Sequence, residues 1–179
     1  MSKFLRDIPV DKQINRSVQH WEARRAERQR GAADPHQQAH SKGGPYIAIS
    51  REAGGGGIEV SQRLAEKLGW QLYDREIVEA IARRAHIREE LVDRFDEQVR
   101  SELDTYVYNV LTGQLLNNTE YLRLLTNVLV SIGHYGNAII LGRGANFVLP
   151  PDTGLRVRLV APLDVRQQYV MRTRACSAK

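Results

Sequence analysis

The chain has 179 residues, 42% hydrophobic and 26% charged, with a formal net charge of +5; this balance fits one globular domain with its own core and excludes disordered and collagen-like classes. No apolar run approaches the roughly 18–20 residues that span a bilayer, and the opening MSKFLRDIPV lacks a signal peptide's apolar stretch, so a cytoplasmic protein without membrane contact is expected. The single cysteine, Cys176, has no internal disulfide partner, which agrees with a reducing compartment.

Most of the excess charge lies in residues 1–44, which hold nine Lys plus Arg against five Asp plus Glu. Within them DKQINRSVQHWEARRAERQR, residues 11–30, reads as a polar helix with one narrow apolar stripe, Ile14, Val18 and Trp21, suited to weak docking on a partner. GAADPHQQAHSKGGP, residues 31–45, reads as a mobile linker. The expected division is therefore a basic arm and linker over 1–44 and a domain over 45–179. Nucleic-acid binding by the arm is disfavoured, because Phe4 and Trp21 are its only aromatics for base stacking.

YIAIS, residues 46–50, is the first strand, and SREAGGGGIE at 50–59 leads into a helix over 57–68 that presents Val60, Leu64 and Leu68 at every fourth position. Gly69 ends that helix as its cap, WQLY at 70–73 is a short strand, and Asp74 caps a helix burying Ile77, Val78, Ile81, Ala82 and Ala85. Residues 88–135 read as helical, with Asn117 and Glu120 at capping-box spacing, and offer a surface for self-association. NAIIL at 137–141 and LRVRLVA at 155–161 are two further strands, and DVRQQYVMRTR forms a last helix. Alternation of strands and helices predicts an α/β fold with a parallel sheet of about four strands, helices on both faces and a helical insertion.

A strand feeding a glycine-rich loop and a helix N-terminus suits an anion, because successive N–H groups turn toward one point and the helix dipole adds partial positive charge. The same glycines can also form a plain flexible turn. Asp74 serves equally as a helix cap and as a ligand contact, with Arg75 beside it. Arg143, between glycines in LGRGAN at the end of a strand, stands where open α/β sheets bind ligands, and its planar fork suits phosphate; the alternative is a structural turn. Arg51 is either a surface arginine or a cation for the loop, and Arg166, Arg172 and Arg174 either reach a ligand or form a solvated face. The histidines lack metal-ligand spacing, so no protein metal site is expected, and neither GxSxG nor HExxH occurs.

Two blocks, IAISREAGGGGIEVSQRLAEKLGWQLYDREIVEAIA and NAIILGRGANFVLPPDTGLRVRLVAPLDVRQQYVMR, resemble in order the cytidylate kinase-like family of P-loop nucleoside monophosphate kinases. The resemblance implies a three-layer P-loop fold that transfers the ATP γ-phosphoryl group to CMP or a similar nucleotide with Mg²⁺. It implies that Arg51, Gly54, Gly55, Gly56 and Gly57 hold the donor, that Asp74, Arg75 and Arg143 hold the acceptor, and that Arg143, Arg166 and Arg172 act on the transferring group. The loop is degenerate against GxxxxGK[ST]: Gly57 stands where the lysine belongs and Glu59 where the metal-binding hydroxyl follows. Gly55 and Ile58 also replace the Ser and Arg of the Gly-Ser-Gly-Gly-Arg-Glu variant. The sequence ends at ACSAK, where the resemblance would continue into a lid and a fifth strand, so an incomplete kinase domain is expected. A catalytically inactive nucleotide-binding or interaction module on the same fold is the alternative.

Overall fold

Among the residues described by the structure, a computed structural model covering 9–31, 44–84, 87, 91, 95, 97–113 and 120–174, four short strands form one sheet. They are Tyr46–Arg51 (β1), Gln71–Tyr73 (β2), Ala138–Leu141 (β3) and Gly154–Leu159 (β4), all parallel, in the order β2-β3-β1-β4. β1 is central, with Ile49 opposite Leu141 of β3 and Val157 of β4. Parallel strands need crossover connections, and Gly57–Leu68 (α2), Arg75–Arg83 (α3), Glu97–Gly113 (α4), Glu120–Tyr135 (α5) and Ala145–Val148 (α6) lie in them, while Val10–Gly31 (α1) precedes the sheet and Leu163–Arg174 (α7) follows β4.

The period-2 alternation of β-strands sends neighbouring residues to opposite layers. Ala48, Tyr73 and Ile140 join the larger core beneath α1, α3 and α5, while Ile49, Leu72, Ile139 and Leu141 pack with Ala65 of α2. β3 is buried along its whole length, which explains why AIIL carries no polar face. The result is the expected α/β fold in three layers, with α4 and α5 as the helical insertion between β2 and β3.

Three local expectations change. The buried face of α2 is Gly57, Ser61, Gln62 and Ala65, whereas Val60 and Leu68 are exposed. Small residues at i, i+4 and i+8 let the helix lie close on the sheet, and that outweighs the leucine stripe. Trp70 closes the end of α2 through its N–H to Ala65 O, so β2 starts one residue later than expected. The short helix α6 directly after Gly144 had no signal in the sequence. Gly69 is the left-handed cap (φ 65°) that the sequence implied, and Asp74 caps α3. Ala85, Asn117 and most of the 31–45 segment lie outside the described residues.

The stripe on α1 docks on this chain itself. Ile14 and Trp21 are buried in the larger core, Trp21 Nε1 donates to Tyr73 Oη at 2.9 Å, and Trp21 stacks on Tyr135. Arg24 Nε donates to Tyr135 O, and His20 Nε2 lies 3.0 Å from Gly136 O, where the chain leaves α5. Burial lowers the His20 pKa below its ordinary 6.5, with the nearby Arg24 acting in the same direction, and the Gly136 carbonyl and Glu27 opposing them. A depressed histidine gives stability that is complete above 6.5 and is lost as pH falls toward the folded value. Unfolding free energy should therefore decline between about pH 7 and pH 5, and less so in His20→Gln. Urea titrations at both pH values check this; equal declines in the two proteins would contradict it.

Candidate functional site

The site lies at the carboxyl ends of β1 and β3, neighbouring strands whose connections leave in opposite directions, β1 toward β2 and β3 toward β4. Such a switch point opens a crevice in an open α/β sheet. Gly142 N donates to Ile49 O at 2.8 Å and holds the two strand ends together.

On the β1 side, the loop turns on Gly54 (φ 80°) and Gly56 (φ 70°), conformations that only glycine adopts without strain. Gly55 N is spent on Glu52 O, so its amide closes the turn and does not face outward. Gly56 is the N-cap of α2, no side chain caps that helix, and the space above Gly56 is open. The first amides of α2 have no acceptor within the helix, a geometry that suits an anion. Beside it runs a cleft of about 220 Å³ bounded by Gly54, Glu59, Arg63, Val165 and Tyr169, so α7 forms its far wall. Gly54 touches α7 directly, since a Cβ there would stand 2.6 Å from Arg166 O.

On the β3 side, Arg143 sits in the left-handed region (φ 56°) and its Nη1 meets Glu79 Oε1 at 2.6 Å. Arg75 Nε reaches the same oxygen at 3.1 Å, so one carboxylate on α3 gathers both arginines. Arg143 Nε is buried with no hydrogen-bond partner among the described residues. Asp74 Oδ1 accepts from Glu76 N and Ile77 N, the geometry of a helix cap.

The expected residues thus fall into two neighbouring groups, Arg51 with the glycine loop and Arg143 with Arg75 and Asp74. Arg166 borders the first group, but its guanidinium is engaged by Ala161 O at 3.0 Å and Glu52 at 3.3 Å. Arg172 is exposed and lies over the Tyr169 ring, 5.7 Å from its centroid. Sequence reasoning missed Glu79 and Arg63. Glu79 had a signal, its i+4 spacing from Arg75 on one helix; Arg63 lay unremarked on the exposed side of α2. Among the described residues no three His, Cys, Asp or Glu side chains gather around a point that could hold a metal ion, and no helix is long and apolar enough to cross a membrane.

Residues 46–179 match the profile of the family described as cytidylate kinase-like. A crystal structure of an uncharacterized protein from Eubacterium ventriosum ATCC 27560 resembles the chain with a TM-score of 0.52 and 21% identity, over 74% of this chain and 66% of that one. That likeness speaks for the fold alone, and it spans just under two thirds of the other protein. No curated protein matches the sequence.

Proposed function

We propose that this chain, which belongs to the cytidylate kinase-like family, transfers the γ-phosphoryl group of ATP to CMP or a similar nucleoside monophosphate. The observation that carries the reading is the meeting of an uncapped helix N-terminus and an arginine pair at adjacent strand ends. One suits a donor's phosphates and the other an acceptor's. In the reaction an acceptor phosphate oxygen attacks the γ-phosphorus, the bond to the β–γ bridging oxygen breaks, and ADP leaves with that electron pair. The protein's work is positioning and charge neutralisation.

Gly54, Gly55, Gly56 and Gly57 shape the donor cradle, with Gly56 leaving it open, and Arg51 stands at its start. Arg143 holds the acceptor phosphate through the guanidinium edge that Glu79 leaves free, with Arg75 and Asp74 at the entrance. Arg166 and Arg172 serve the transferring group once Arg166 exchanges Glu52 for phosphate. Mg²⁺, when bound, neutralises phosphate charge; it typically takes one or two carboxylates plus substrate oxygens, and Glu59 is the acid bordering the cleft.

Calorimetric titration tests the reading: ATP and CMP should each bind, and saturating CMP should leave the ATP site available. Mutual exclusion, or no binding by folded protein, would refute it. Asp74→Asn separates the two roles of Asp74, because asparagine caps a helix about as well as aspartate. If Asp74 contacts the acceptor, CMP affinity falls while the melting temperature stays within about a degree; unchanged CMP affinity would leave Asp74 as a cap only.

Gly57 and Ile58, where the family's patterns carry lysine or arginine, favour a second reading, a nucleotide-binding or interaction module without turnover. Binding without product formation would separate it from the kinase.

A further inference from the structure

Gly57 has no conformational reason to be glycine. It opens α2 and its φ lies outside the left-handed region, so any residue could adopt its backbone conformation. The reason is spatial. A Cβ on Gly57 would stand 2.7 Å from Arg51 Cγ, 3.0 Å from its Cβ and 3.1 Å from its Cδ. The aliphatic stem of Arg51 therefore fills the volume that a side chain at 57 would need. Further out, a Cβ on Gly142 would stand 2.5 Å from Arg51 Nη1. Arg51 thus leaves the end of β1, crosses the first residue of α2 and ends over the turn that carries Arg143.

We propose that Arg51 replaces the phosphate-loop lysine, reaching the donor phosphates from the strand instead of the helix, with Gly57 kept small to let it through. This rests on the nucleotide reading of the site above. Position 57 is where the lysine of a Walker loop aligns, and one stem fits there, not two. Like-charge repulsion adds to that steric exclusion. Among the described residues Arg143 and Arg166 each face a carboxylate, Glu79 and Glu52, whereas no acid pairs with Arg51, which is exposed. Its charge is available to a ligand at once. Lying between the two loops, the guanidinium meets the γ-phosphate where the donor and acceptor approach.

The test is equilibrium binding of ATP and of inorganic tripolyphosphate to the full chain and three variants. Arg51→Met keeps the stem and removes the charge, and should weaken both ligands about 10- to 100-fold, the worth of a charge-assisted hydrogen bond. Gly57→Lys forces two cations into one space and should also weaken binding. The double variant Arg51→Ala/Gly57→Lys restores the ordinary lysine and should bind more tightly than Gly57→Lys. Wild-type affinity in Arg51→Met, or a double variant no better than Gly57→Lys, would overturn the exchange and leave the nucleotide site standing. Folded wild-type protein that binds neither ATP nor tripolyphosphate would overturn both.

Discussion

Arg143→Asn is expected to lower phosphoryl transfer by about 10²- to 10³-fold, the usual effect of removing one group that stabilises charge in the transition state. Asparagine is the informative replacement because position 143 is left-handed, a conformation that asparagine tolerates far better than alanine. The turn should survive while the guanidinium is lost. Glu79 would keep Arg75, so the acceptor side would not be stripped of all positive charge. Steady-state rates at saturating ATP, with CMP varied, check the prediction. A rise in KM for CMP together with a fall in kcat places the guanidinium on the acceptor phosphate in both ground and transition states. Unchanged values of both would remove Arg143 from the site.

The second large effect is on stability. Trp21→Ala should destabilise the chain by about 3–5 kcal/mol, the range for emptying a large aromatic site. Trp21 is fully buried, stacks on Tyr135 and donates to the Tyr73 hydroxyl, whose pKa burial drives upward. Alanine would leave both a cavity and a buried phenol without that donor. Trp21→Phe keeps most of the packing and loses the hydrogen bond, so its cost should be about 1–3 kcal/mol. Denaturant midpoints of the two variants measure the difference. Tyr73 directly precedes Asp74 and Arg75, so α1 also buttresses the wall that carries the residues proposed for the acceptor. A Trp21→Ala protein as stable as the wild type would mean that α1 is not docked.

How these elements could be read beforehand varies with their physics. β1, α2, β2, α3, β3 and β4 were legible through their hydrophobic patterns, with local signals such as Gly69 and Asp74 marking ends and starts. The face of α2 was not, because close packing on the sheet selected Gly57, Ser61 and Ala65 over the longer aliphatic residues, whose stripe is the stronger hydrophobic signal. The docking of α1 was half legible: Ile14, Val18 and Trp21 announced an apolar stripe, but Tyr73 and Tyr135, which receive Trp21, are more than fifty residues away. The glycine loop and Arg143 stood out through residue type alone. The i+4 spacing of Arg75 and Glu79 was there to be read, but the meeting of Glu79 with Arg143 and the passage of Arg51 across Gly57 depend on distances between separate elements, which spacing along the chain does not encode.

The most direct measurement of the central claim is ³¹P NMR of the purified chain with Mg²⁺-ATP and CMP, run beside a sample without protein and one with Arg143→Asn. The account predicts CDP and ADP resonances growing together in equal amounts with the unmodified protein, and slowly or not at all in the other two samples. Folded protein that binds both nucleotides and yet forms no CDP would contradict phosphoryl transfer and leave a nucleotide-binding module on a kinase scaffold.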